Sequence, residues 1–257
     1  MPPSARSRSS HTPRIGCAGW SIPSAHAHLF GEGDSALARY ATRFQAVEIN
    51  SSFYRPHRQA TYARWAASVP PGFRFSVKLP KAITHEARLQ GSGALLDRFA
   101  DEVGGLGRKL GGVLVQLPPS LVFDPRVATT FFAMLRRRFT VPLACEPRHA
   151  SWFGAVADRL WTRHRIPRVA ADPAQVPGAG DAAGSGPWRY WRWHGAPRMY
   201  YSAYDDAALA RLAAAVRACT PPRTTPWIIF DNTAHGHAIA DAARLQTLVV
   251  PAKDARG

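Results

Sequence analysis

The sequence is poor in cysteine, lysine and acid, and it holds no long apolar run. Its three cysteines, Cys17, Cys145 and Cys219, are widely spaced and odd in number. No CxxC or Cys/His finger spacing accompanies them, so a disulfide framework is excluded and structural zinc is not expected. They read as small, buried apolar residues. No stretch approaches the ~20 apolar residues of a membrane helix. Met1 to Ser10 lack the apolar core of a secretory signal. The expectation is a disordered tail over residues 1–13 of a soluble, cytoplasmic protein with no membrane partner.

Acidic residues number 17 against 33 basic ones, a net charge of +16. Only Lys78, Lys81, Lys109 and Lys253 are lysines, and the rest of the excess is arginine. Such a charge favours anionic partners, either a small anionic ligand or nucleic acid. The arginines are scattered, however, and only Arg136-Arg137-Arg138 form a run. In an alanine-rich chain, coding bias alone would give the same pattern.

What the chain of 257 residues does have is alternation. Short apolar runs at 14–19, 46–50, 74–79, 112–117, 142–146, 168–172, 189–194 and 227–232 are bounded by Pro or Gly and read as strands. Helix-compatible stretches lie between them at 35–44, 59–68, 95–109, 125–138, 152–165, 205–219 and 237–249. Asp124 and Asp205 are placed to cap helices, and Pro125 suits a first helical turn. Strand–helix alternation implies a parallel sheet, and eight repeats predict one α/β domain over residues 14–250, a single (β/α)₈ TIM-type barrel. Residues 173–187, rich in Gly, Ala and Pro, cannot form a regular helix, so the sixth crossover is expected to be irregular.

Polar residues gather at the carboxyl ends of the runs: Glu48 and Asn50, Lys78, Gln116, Glu146 and Arg148, Asp172, Arg192 and His194, Asp231 and Asn232. In such barrels the loops after the strands build the active face. Side chains two apart share one face, which pairs Glu48 with Asn50, Glu146 with Arg148 and Arg192 with His194. Each also has a plain structural reading. Glu146 and Arg148 could brace the mouth as an ion pair. Asp172, before Pro173, could cap a turn, Gln116 could satisfy loop backbone, and His85 could be a surface residue. Glu48 needs a partner such as Lys78 or Arg192 in either case, because a buried lone carboxylate is costly.

These segments resemble the YecE-like family, domain of unknown function 72, from about Ile15 to Leu248. The resemblance is carried by Gly16-Cys17-Ala18-Gly19-Trp20, Val47-Glu48-Ile49-Asn50-Ser51-Ser52-Phe53-Tyr54 and Phe73-Arg74-Phe75-Ser76-Val77-Lys78. It continues through Ile83-Thr84-His85, Gln116-Leu117-Pro118-Pro119, Glu146-Pro147-Arg148-His149-Ala150-Ser151-Trp152 and Arg192-Trp193-His194-Gly195. It implies a TIM-barrel-like fold and supplies no activity. Where the family usually has two asparagines after the last strand, this chain has Asp231-Asn232, so position 232 matches and position 231 adds a carboxylate.

Three functions are expected. The first is an enzyme acting on an anionic or polyhydroxylated small molecule such as a sugar phosphate or nucleotide. Its catalytic candidates are Glu48, Lys78, Glu146 and Asp172, with Glu48 and Glu146 as general acid and base. Asn50, Tyr54, His85, Gln116, Arg148, His149, Arg192, His194, Tyr200 and Asn232 are the substrate-binding candidates. The second is a nucleic-acid-binding or nucleic-acid-processing barrel, by analogy with apurinic endonucleases. The third is a barrel that binds a ligand without turnover. No cofactor is expected. His85, Glu146, Asp172 and His194 are the set that could ligate a metal, but Lys78, Arg148 and Arg192 among them would repel a divalent ion by several kcal/mol. No metal is therefore expected.

Overall fold

The computed structural model describes residues 12–186, 188–218 and 225–249. Ten strands occur among them: β1 (Arg14–Cys17), β2 (Ala46–Ile49), β3 (Arg74–Lys78), β4 (Leu110–Gln116), β5 (Leu143–Glu146), β6 (Pro167–Arg168), β7 (Ala170–Asp172), β8 (Ala183–Gly184), β9 (Trp188–Trp193) and β10 (Thr225–Phe230). Seven α-helices accompany them: α1 (Ala36–Tyr40), α2 (Gln59–Ala67), α3 (Gly93–Val103), α4 (Pro125–Arg138), α5 (Ala155–His164), α6 (Asp206–Ala218) and α7 (His237–Val249). The tail over 1–11 and Cys219 lie outside the described residues. None of the described helices is long and apolar enough to cross a membrane.

The ladders form two sheets of mixed α/β type. One has the order β1-β10-β9-β7, the other β2-β3-β4-β5-β6-β8, and every pairing is parallel except β6 with β8. The single run predicted at 168–172 is split at Val169, because β6 pairs with β5 while β7 pairs with β9. The Val169 N–H still reaches the Cys145 carbonyl at 2.8 Å. After Asp172 the described chain forms no helix before β9; it carries only the two-residue β8.

The two sheets approach again at β1 and β2. Ala18 bridges Glu48, and the Gly19 N–H donates to the Glu48 carbonyl at 2.9 Å. At this seam the Tyr40 hydroxyl accepts from the Cys17 N–H (2.8 Å) and donates to the Ala46 carbonyl (3.0 Å). Gly16 is required there, since a Cβ would overlap the Ala46 carbonyl oxygen.

The helices follow from local sequence. In α4, Ala128, Phe131, Phe132 and Leu135 recur on one buried stripe. Pro125 opens the helix, and the Asp124 carboxylate accepts from the N–H groups of Arg126 (2.8 Å) and Val127 (3.1 Å). Asp205 likewise accepts from the Ala208 N–H at 2.7 Å, just ahead of α6. Part of the basic excess is spent inside the fold. Arg136 donates to the carbonyls of His164 (2.9 Å) and Arg165 (2.7 Å), tying α4 to the end of α5.

Alternation along the strands divides the apolar residues into two cores. Val47, Phe75, Val113, Val115, Cys145, Trp191, Ile228 and Phe230 pack outward with the helices. Ala46, Leu114, Ala144, Val169, Trp188, Tyr190, Trp227 and Ile229 form a separate inner cluster. Gly111 and Gly112 leave room for its indoles: a Cβ at either would come within 2.7 Å of Trp227 or 2.6 Å of Trp188. Cys17 and Cys145 are free and buried, and burial pushes the Cys17 thiol up to about 12.

Candidate functional site

Counting two residues onward from each inner position reaches the polar cluster. Ala46 leads to Glu48, Leu114 to Gln116, Ala144 to Glu146, Tyr190 to Arg192 and His194, and Ile229 to Asp231. On β3 the same face carries Ser76 and Lys78, both buried. A shared inner face at the carboxyl ends of the strands therefore holds the charges.

Arg192 is fully buried at the centre. Its Nε and Nη2 donate to Glu48 Oε2 (3.0 Å) and Oε1 (2.8 Å), Nη1 donates to Glu146 Oε2 (2.7 Å), and Nη2 also reaches Asp231 Oδ2 (2.9 Å). Burial opposes this charge, but Glu48, Glu146 and Asp231 outweigh it and hold the guanidinium well above its ordinary pKa. Tyr190 completes the frame, donating to Glu48 Oε2 (2.8 Å) with Ser76 Oγ 2.7 Å from its hydroxyl. Glu48 thus finds the partner its burial demands in Arg192.

Around this core, Arg148 Nε donates to Glu146 Oε1 at 2.8 Å, the brace that the Glu-x-Arg spacing anticipates. His194 Nδ1 lies 3.0 Å from Asp231 Oδ2, and its Nε2 lies 3.4 Å from Glu146 Oε1. Burial works against both His194 and Glu146 in their charged forms. The carboxylates nevertheless raise the His194 pKa, and Arg192, Arg148 and His194 hold the Glu146 carboxyl well below its usual range. The Tyr200 ring stands edge-on to His194 at 5.6 Å.

The ends of β2, β3 and β4 are different. Lys78, only 5% exposed, makes no hydrogen bond or ion pair through its ammonium with any described residue; Nζ sits 3.9 Å over the Phe53 ring. The Gln116 side chain, also buried, has no hydrogen-bond partner among the described residues, and Asn50 Oδ1 is a buried acceptor with none. Burial first, then the nearby Arg192, bring the Lys78 pKa down to about 8, against the pull of Glu48, Asp231 and Glu146. Ser52 fixes the turn that carries Phe53: its single hydroxyl hydrogen lies within reach of the carbonyls of Lys78 (2.6 Å) and Ile49 (2.9 Å). His85 rests its ring 4.9 Å from the same Phe53, and burial, Lys78 and Arg148 lower its pKa.

Several predicted residues stand apart. The Asp172 carboxylate accepts from the Tyr204 hydroxyl at 2.8 Å, on the opposite face of its strand from Ala171. His149 Nδ1 caps the 3₁₀ turn Ala150–Phe153 by accepting from the Ser151 N–H at 3.2 Å. Asn232 donates to Asp241 Oδ2 (2.8 Å) and to the Ser202 carbonyl (2.9 Å), facing α7. Tyr54 is 68% exposed. Asp231 and Tyr190, absent from the predicted set, are in the frame. Tyr190 lies two residues before Arg192 and so shares its face, a spacing the sequence shows; Asp231 carries no such signal, because both faces of β10 are apolar.

The frame itself encloses little space. A recess of about 10 Å³ lies among Glu146, Arg148, Ala171 and His194, room for about one water at most. A separate cavity of about 240 Å³ has Phe53, Tyr54, Ile83 and Phe99 among its walls and shares no lining residue with that recess. Among the described residues, no three His, Cys, Asp or Glu side chains are arranged to hold a metal ion. The carboxylates that might do so are engaged by Arg192.

Comparison with known proteins agrees with this layout. A family model described as "Protein of unknown function DUF72" matches residues 14–256. The UPF0759 protein YecE of Escherichia coli K12 is 31% identical over 112 residues, a match spanning 44% of this chain and 39% of that protein's length. Two solved structures share the fold at 22% identity, each covering 93% of this chain. They are a DUF72 family protein of Thermotoga maritima MSB8 (TM-score 0.78, 99% of that chain) and one of Enterococcus faecalis V583 (TM-score 0.77, 98% of that chain). The match over residues 14–256 shows that the chain belongs to the YecE-like DUF72 family.

Proposed function

We propose that the two sheets close into a (β/α)₈ ring whose carboxyl-end mouth binds a small anionic or polyhydroxylated ligand, the sugar-phosphate class. Closure is supported by the Ala18–Glu48 bridge on one side and by the consecutive β6 and β7 on the other. The observation that carries the ligand reading is the contrast between the two halves of the mouth. On one half, Arg192, Glu48, Glu146 and Asp231 satisfy one another. On the other, Lys78, Gln116 and Asn50 present an ammonium seated on the Phe53 ring, an amide and a buried acceptor, with no hydrogen-bond partner among the described residues. Buried polar groups are ordinarily paired, so a lone set at one edge marks where an external group completes the bonding.

The roles follow from this division. Arg192 has its donors committed and is a positioning residue. Glu146, held ionised, is a weak base; it orients Arg148 and His194. Lys78 and Gln116 are the ligand-facing groups, with Arg148 and His85 at their rim. A phosphate or carboxylate would take Lys78 as a charge partner, and hydroxyls would take Gln116 and Asn50.

Titration calorimetry with inorganic phosphate and a panel of sugar phosphates tests the reading. Binding is expected to weaken about tenfold or more in Lys78→Met, with a smaller loss in Gln116→Leu and none in Arg137→Ala. Equal binding by wild type and Lys78→Met would overturn it. Nucleic acid, the other partner a +16 chain attracts, would instead show affinity that falls steeply with salt and ignores Lys78.

A further inference from the structure

The ligand reading leaves the chemistry of Lys78 unused, and its surroundings are those of a reactive amine. Amines become nucleophiles when desolvated beside another cation, because the neutral form is then populated near neutral pH. Lys78 is buried at the end of β3 with Arg192 behind it and no carboxylate bonded to Nζ. Glu48, Asp231 and Glu146 face it electrostatically, but all three are bonded to Arg192. Its ring contact, Phe53, excludes water from one side and also touches His85, whose Nδ1 is held 2.8 Å from Thr84 Oγ1.

We propose that Lys78 forms a Schiff base with an aldehyde or ketone that carries hydroxyl or phosphate groups. This rests on the ligand reading above and names the reacting centre within it. The neutral amine adds to the carbonyl carbon, forming the C–N bond as the C=O π pair moves to oxygen. One proton passes from nitrogen to that oxygen, relayed by the imidazole of His85, which shares the Phe53 contact with Lys78 and whose pKa burial and Lys78 lower. A second proton, from solvent, lets the oxygen depart as water while the nitrogen pair forms the C=N bond. The product is a protonated imine, an electron sink at the former carbonyl carbon, balanced by one water released and one proton consumed. Gln116 and Asn50 hold hydroxyls of the bound chain. The burial that lowers the Lys78 pKa to about 8 supports the first step.

Borohydride trapping decides the matter, and the scarcity of lysine makes it readable, since the amines that compete with Lys78 are Lys81, Lys109, Lys253 and the chain's α-amine, each on its own peptide. The full chain is incubated with glyceraldehyde 3-phosphate, reduced, digested and mapped by mass spectrometry. The expected adduct falls on the Lys78 peptide, at least about tenfold above the other lysines. It disappears in Lys78→Arg, and its yield rises with pH through about 8. Modification spread over Lys81 and Lys109 according to exposure would overturn the proposal. So would absence of an adduct on a wild-type chain that still binds inorganic phosphate through Lys78; in that case the ligand site stands and the covalent step falls. Absence of both would sink both. Circular dichroism of Lys78→Arg separates loss of adduct from loss of fold.

Discussion

Arg192 and Glu48 meet as a two-bonded pair, Nε to Oε2 at 3.0 Å and Nη2 to Oε1 at 2.8 Å, with both side chains fully buried. Parallel N–H···O bonds between guanidinium and carboxylate fix direction as well as distance. Removing the cation leaves Glu48, Glu146 and Asp231 buried together. Arg192→Met is therefore expected to destabilise the chain by about 3–5 kcal/mol. Urea unfolding measures it, and a loss below about 1 kcal/mol would mean the carboxylates had found water instead.

Lys78 carries the opposite sign. Its folded pKa, about 8, lies below the ordinary 10.5, so the folded state disfavours its proton. Between those values the unfolded chain binds more protons than the folded one, and this residue's contribution to stability rises with pH. Below about 8 its charge costs the fold in full. Lys78→Met should stabilise the chain at neutral pH by on the order of 1–3 kcal/mol, a gain that fades above about pH 10. Chemical denaturation at both pH values checks it; a destabilised variant at neutral pH would refute it.

His194 titrates the other way. Its folded pKa is raised, so its contribution is fully present below the unfolded value near 6.5 and is lost as pH rises through the folded value. Wild type should lose this stability on passing from pH 6 into the alkaline range, and His194→Gln should not. The histidine C2-proton shift, followed by NMR, gives the titration directly.

Tyr40 offers a test away from the mouth. Its hydroxyl links β1 and β2 where the two sheets meet, so Tyr40→Phe strands the Cys17 N–H and part of the Ala46 carbonyl's bonding. A loss of about 1–3 kcal/mol is expected, with phosphate affinity unchanged.

The strands were readable because each is a short apolar run closed by Gly or Pro. Which side each residue faces was harder. In Trp227-Ile228-Ile229-Phe230 both faces are apolar, one against the inner cluster and one against the helices, so alternation leaves no trace in residue type. Residue type alone therefore does not tell that Asp231, and not Asn232, turns to Arg192, or that Asp172 turns to Tyr204. The break at Val169 was hidden for the same reason. Glu146 with Arg148 was legible, because a spacing of two on a strand fixes their shared face. The Lys78–Phe53 contact was not, since it depends on how the turn after β2 folds back over β3.

Arg192 extends from a strand of the four-stranded sheet, whereas Glu48 and Glu146 hang from the six-stranded one. These charges thus also clasp one sheet to the other. A single substitution at position 48, 146 or 192 therefore leaves buried charge unpaired across both sheets at once.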